Sequence, residues 1–218
     1  VVSVSGSVAA GESIMAAASK NITKVSLELG GKAPAIVCKD ADLERAAQWI
    51  VDSRIGNNGQ ICNNAERVYV QKEVKAEFTK ILVDKMKAVK VGDPCKDETV
   101  DMGPLVEARA LESVTEKVNR AIKQGARLLC GGERVGTTGY FCAATVLDNC
   151  TQDMDIIHEE TFGPVIPLIE FDTIDQVIAW ANDCEYGLAS SIFTKDLNVA
   201  VKACRELAFG ENYINREH

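Results

Sequence analysis

The chain has 218 residues, 46% of them hydrophobic and 26% charged, ordinary values for a folded unit with enough apolar mass for one good core. Its 32 acidic and 24 basic residues are scattered without a long block of like charge, and the net charge of −8 argues against a nucleic-acid partner. No apolar run approaches the roughly 18 residues that span a bilayer, and no basic stretch followed by an apolar one opens the chain, so neither a membrane partner nor export is expected.

Short β-branched runs alternate with helix-period segments, the pattern of an α/β protein whose mainly parallel sheet is flanked by helices on both faces. The chain opens without methionine in a strand-like run over 1–4, so a natural start further upstream is expected. Ser7 is placed to cap a helix over 8–19, whose exposed N–H groups attract an anion such as a pyrophosphate. The apolar run 25–27 leads into Glu28-Leu29-Gly30-Gly31-Lys32, and a second strand-like run ends at Cys38. With Asp40 read as N-cap, the spacing predicts a helix over 42–55 with Leu43, Ala46, Ala47, Ile50 and Val51 on one face.

The loop Gly56-Asn57-Asn58-Gly59-Gln60-Ile61-Cys62-Asn63-Asn64 follows, then a strand over 66–70 and a helix over 73–89 stopped by Gly92 and Pro94. A helix over 110–124 ends at Gly125. Strands are predicted over 128–130, 141–147, 165–171 and 190–193, and helices over 174–182 and 197–207. Polar, turn-rich stretches at Gly131-Gly132, 137–139 and 148–155 read as loops.

Eight cysteines without a CxxC pair, and two histidines, argue against zinc and against a disulfide scaffold. Cys38 and Cys130 sit in apolar runs, where a free thiol behaves as a small hydrophobe. A reducing, cytoplasmic setting is the natural expectation. Cys62 stands apart, set among amides and glycines that leave room for a substrate and offer backbone N–H groups to an oxyanion. Taken alone it reads as a packed thiol, and Glu28 as a solvated carboxylate.

The combination changes that reading. Glu-Leu-Gly-Gly-Lys at 28–32, Gly-Gln-Ile-Cys at 59–62 and Glu159-Glu160-Thr161-Phe162-Gly163-Pro164-Val165 resemble, in order and spacing, three signatures of the aldehyde dehydrogenase superfamily; Val4-Ser5-Gly6-Ser7-Val8-Ala9-Ala10-Gly11 is a weaker fourth. The resemblance implies an NAD- or NADP-dependent oxidation of an aldehyde to a carboxylic acid through a thiohemiacetal and a thioester. Cys62 is then the nucleophile and Glu28 the base, while Gly6, Ser7, Leu29, Gly30, Glu160 and Phe162 contact the cofactor; no metal is implied.

It implies further that 1–30 is the tail of the cofactor domain and 31–218 the catalytic domain, in a protein that assembles as a homo-oligomer. The oxyanion-hole asparagine and the ribose lysine of the family match no residue here, so the chain is expected to fold but to turn over little by itself. The run Glu211-Asn212-Tyr213-Ile214-Asn215-Arg216-Glu217 is similar to members acting on small hydroxyaldehydes such as lactaldehyde. Semialdehyde oxidation, a CoA-acylating reaction and a non-catalytic truncated subunit are the competing readings.

Overall fold

The computed structural model describes residues 1–216; Glu217 and His218, where the run quoted above ends, lie outside them. A small parallel pair comes first: β1 (Val2–Ser5) pairs β2 (Val25–Glu28), joined by helix α1 (Val8–Ser19). The remainder builds a second sheet from β3 (Ala33–Val37), β4 (Ala65–Gln71), β5 (Arg127–Cys130), β6 (Thr145–Asp148), β7 (Val165–Phe171), β8 (Ala189–Phe193) and β9 (Glu211–Ile214). Its order is β5-β6-β7-β4-β3-β8-β9, and every neighbouring pair is parallel except β5–β6.

Both faces of this sheet are covered, as the near-continuous apolar runs of β3, β4, β7 and β8 require. Side chains alternate along a strand, so β3 sends Ala35 and Val37 to one face and Ile36 to the other, and β4 divides Val68 and Val70 from Tyr69. The first face packs on α2 (Leu43–Ile55) and α3 (Lys75–Ala88) through Ala47, Ile50, Phe78, Leu82 and Met86. The second packs on α4 (Ala108–Gln124), the short α5 (Asp155–His158), α6 (Ile174–Asn182) and α7 (Leu197–Glu206).

The cap of α2 is Asp42, which accepts from the Arg45 N–H at 3.1 Å, rather than Asp40. Asp40 instead accepts from the Thr194 hydroxyl and, at 2.8 Å, from the Lys195 N–H, tying the exit of β3 to the exit of β8. The strand expected over 141–147 is confined to Thr145–Asp148, preceded by an isolated Arg134–Cys142 bridge. A turn of helix, α5, begins at Asp155 where a loop was expected to end, and β9 adds an edge strand that the polar sequence Glu211-Asn212-Tyr213-Ile214 did not announce. The helix expected over 73–89 starts with a 3-10 turn, Lys72–Val74.

Candidate active site

In open α/β sheets ligands ordinarily sit at the carboxyl ends of strands. Here a cleft of about 890 Å³ is bounded by the carboxyl ends of β1 and β2 on one side and by the segments entering β3, β4 and β7 on the other. All eight residues singled out in the sequence line it: Gly6, Ser7, Glu28, Leu29, Gly30, Cys62, Glu160 and Phe162. The first half of α4 closes the rim with Ala110, Ser113 and Lys117.

On the first wall, Ser7 caps α1 by accepting from the Ala10 N–H at 3.3 Å, and no acidic residue occupies the first turn to neutralise the positive end of the helix. The Gly6 N–H donates to the Glu28 carbonyl at 2.9 Å, which fixes the α1 entry against the end of β2.

The segment carrying Cys62 enters through a 3-10 turn, Gly56–Gly59, in which Asn57 and Asn58 take left-handed conformations with φ of 46° and 59°. Asparagine tolerates that region better than most side chains. Asn58 Nδ2 donates to the Pro104 carbonyl at 2.7 Å, and Gln60 Oε1 accepts from the Val106 N–H at 3.0 Å. These bonds anchor the turn to the segment before α4 and leave Cys62 exposed. By contrast Cys38 and Cys150 are buried, and burial pushes each of those thiols up to about 12, far from a reactive thiolate. Cys38 is thus the small hydrophobe the sequence implied.

The segment before β7 brings the third set. Glu160 Oε1 accepts from the Gly31 N–H at 2.9 Å, Lys117 donates to the Glu160 carbonyl, and burial raises the carboxyl of Glu160 above its ordinary range. A Cβ at Gly30 would lie 2.3 Å from Glu160 Oε2, so a side chain there would displace that carboxylate. Phe162, 41% exposed in the cleft, has φ of 50°. For an aromatic side chain such a conformation costs on the order of 1–3 kcal/mol and persists only where the surroundings enforce it.

Behind these walls lies an ion cluster the sequence reading did not assign. Glu66 at the start of β4 is 2% exposed and accepts from Lys32 Nζ at 2.6 Å and Arg54 at 2.9 Å. Its oxygens also accept from the backbone N–H groups of Thr161 at 2.9 Å and Phe162 at 3.0 Å. Burial alone would raise the Glu66 carboxyl; the charges of Arg54 and Lys32 and the N–H donors overturn this and hold it near 2. Arg54 continues to Asn64 Oδ1 at 2.5 Å and to the Val165 carbonyl at 3.0 Å.

A signal for the cluster was present. Arg54 falls four residues after Ile50 on the apolar stripe of α2, and Glu66 opens a strand buried along its whole length. Charges in such positions are almost always paired. His158 closes α5 with Nε2 2.6 Å from the Gln152 carbonyl. Among the described residues no group of three or more His, Cys, Asp or Glu side chains could hold a metal ion, and no helix is long and apolar enough to cross a membrane.

The likeness to known proteins extends over the whole chain. It is 57% identical over 218 residues to lactaldehyde dehydrogenase of Escherichia coli (strain K12), covering 100% of this chain and 46% of that protein. The crystal structure of lactaldehyde dehydrogenase from Escherichia coli superposes with a TM-score of 0.98, again over 100% of this chain and 46% of the other. The structure of 3,6-anhydro-L-galactose dehydrogenase in complex with NAP superposes with a TM-score of 0.96 at 48% identity, over 100% and 46%. The chain therefore spans about half the length of the relatives it matches. Residues 1–218 match the model of the Aldehyde dehydrogenase family, and with the fold and the cleft in agreement the chain belongs to that family.

Proposed function

We propose that this chain carries the nucleophile and the general base of an NAD- or NADP-dependent aldehyde dehydrogenase, with Cys62 and Glu28 in those roles and a small hydroxyaldehyde such as lactaldehyde as substrate. The observation that carries the reading is the convergence of Cys62, Glu28 and Glu160 on one cleft from three separate segments of the chain. The substrate class rests on the similarity to lactaldehyde dehydrogenase. On this reading β1, α1 and β2 are the tail of the cofactor domain, the remainder is the catalytic domain, and the complete protein is a homo-oligomer.

The cleft suits a dinucleotide. The capped N-terminus of α1 offers N–H groups to a pyrophosphate, Glu160 offers a carboxylate to ribose hydroxyls, Phe162 flanks the ring, and Leu29 and Gly30 let the cofactor approach the backbone. When bound, the nicotinamide supplies the hydride acceptor that converts thiohemiacetal to thioester.

The chain's own residues do the rest. Glu28 takes the thiol proton as Cys62 Sγ forms a bond to the carbonyl carbon, and the carbonyl electrons move to oxygen. The Cys62 backbone N–H stabilises that oxyanion, a contribution commonly worth about a hundredfold in rate. Glu28 then releases the thiol proton to solvent, and in the second half-reaction its carboxylate removes a proton from water, the hydroxide adds to the thioester, and the thiolate leaves as the acid forms.

The test is NAD(P)H formation with lactaldehyde, glycolaldehyde and succinic semialdehyde, measured on the 218-residue chain, the complete gene product and its Cys62→Ala variant. Turnover of lactaldehyde by the complete product, abolished by the substitution, supports the reading. Equal turnover with and without the thiol ends it, and release of acyl-CoA without free acid removes Glu28 from its role.

A further inference from the structure

We propose that Glu66 is a positioning residue for the cofactor side of the cleft: its buried carboxylate holds the Glu160–Phe162 turn in the conformation that presents the ribose carboxylate and the aromatic wall. This rests on the reading of the cleft given above. Four donors converge on two oxygens, with Lys32 Nζ and the Thr161 N–H on Oε2, and Arg54 and the Phe162 N–H on Oε1. An ionised carboxylate is the side chain with acceptor sites for all four. A glutamine would turn an NH2 group toward one pair.

Stability alone does not account for the arrangement. A buried ion cluster of this kind is generally no more stable than packed apolar side chains of the same volume. Apolar side chains, however, would leave the Thr161 and Phe162 N–H groups without acceptors, and the φ of 50° at Phe162 would lose the bond that enforces it. Lys32 also donates to Thr161 Oγ1 at 3.3 Å, so the carboxylate and its ammonium partner grip the same residue. Arg54 also donates to Asn64 Oδ1 and to the Val165 carbonyl, bonds that do not involve position 66, so the segment carrying Cys62 has a tie of its own.

The experiment uses the complete gene product with Glu66→Gln and Glu66→Asp. Calorimetric titration with NAD+ and NADP+ is compared with the rate at which iodoacetamide alkylates Cys62 without cofactor, followed by peptide mass spectrometry. The expected result is a cofactor Kd raised about tenfold or more in Glu66→Gln and less in Glu66→Asp, with Cys62 alkylation within about twofold of the unsubstituted protein. If Glu66→Gln fails to fold, Glu66→Asp carries the comparison, since it keeps the charge and withdraws the oxygens by one methylene. Unchanged cofactor binding in the folded variants overturns the proposal, and so does a parallel shift of Kd and alkylation, which would mark a loosened core. If the unsubstituted protein binds neither cofactor, the reading of the cleft fails, a result distinct from either.

Discussion

Gly31 packs against the carbonyl of Cys62 so closely that a Cβ at position 31 would lie 2.1 Å from that oxygen. The obstacle is backbone and cannot swing aside, so Gly31→Ala must displace the segment carrying Cys62 or the start of β3. Overpacking of this kind costs about 1–3 kcal/mol. The expected outcome is a lower urea midpoint together with a loss of turnover in the complete protein, read from denaturation curves and steady-state rates.

Gly30→Ala makes the opposite case. Its Cβ would meet the Glu160 carboxylate, the far end of a flexible side chain that can rotate away. Stability is expected to change by less than about 1 kcal/mol, the size of an ordinary surface effect. The KM for the cofactor should rise several-fold while the KM for the aldehyde stays put. Equal changes in both constants would count against a cofactor role for this corner.

Cys62→Ala removes an exposed side chain from a segment held by other residues, so the unfolding midpoint should hold within about 0.5 kcal/mol. Turnover should fall by about 10⁴-fold or more, as expected when a nucleophile is deleted. Glu28→Gln should slow deacylation more than acylation. A rapid-mixing trace then shows a burst of reduced cofactor followed by a steady state slower by about 10²–10⁴-fold.

The buried carboxylate of Glu66 sets an acid limb. Its folded value near 2 lies below the ordinary carboxylate range, so its contribution is fully present above about pH 5 and is lost as pH falls toward 2. A shift of this size corresponds to about 3 kcal/mol. The stability difference between the unsubstituted protein and Glu66→Gln should therefore shrink steadily between pH 5 and pH 2.5 in urea titrations. A difference that stays constant over that window would show that the charge of Glu66 is not what the fold uses.

Much of the architecture was legible from periodicity. The 3.6-residue stripe on α2 and the β-branched run of β7 each carry their signal in consecutive residues, and burial in the fold agrees with it. Ser7 and Gly125 mark helix ends for local reasons of hydrogen bonding and φ, so they too were readable. What failed has a different origin. β9 is held by pairing with β8 across the sheet, and half-exposed polar residues there give no alternation to read. Asp40 looks like any helix cap until Thr194 and Lys195, far along the chain, are brought beside it. In the cleft, residues embedded in compact motifs were visible. Lys32, Arg54 and Glu66 have meaning only through contacts between distant segments, although a charge on an apolar stripe was a hint.

The four residues Leu29 to Lys32 are the direct link between the two sheets, and Glu28 sits at their beginning. Any swing of the β1–α1–β2 unit relative to the larger sheet pivots there. A residue near a pivot moves little while one at the end of the lever moves far; the Gly6 N–H is bonded to the Glu28 carbonyl, so the start of α1 shares the place of Glu28 near the pivot, and the opposite end of the pair, at Val2 and Val25, would sweep the wider arc. Glu28 and the helix entry beside it would then keep their spacing through such a motion.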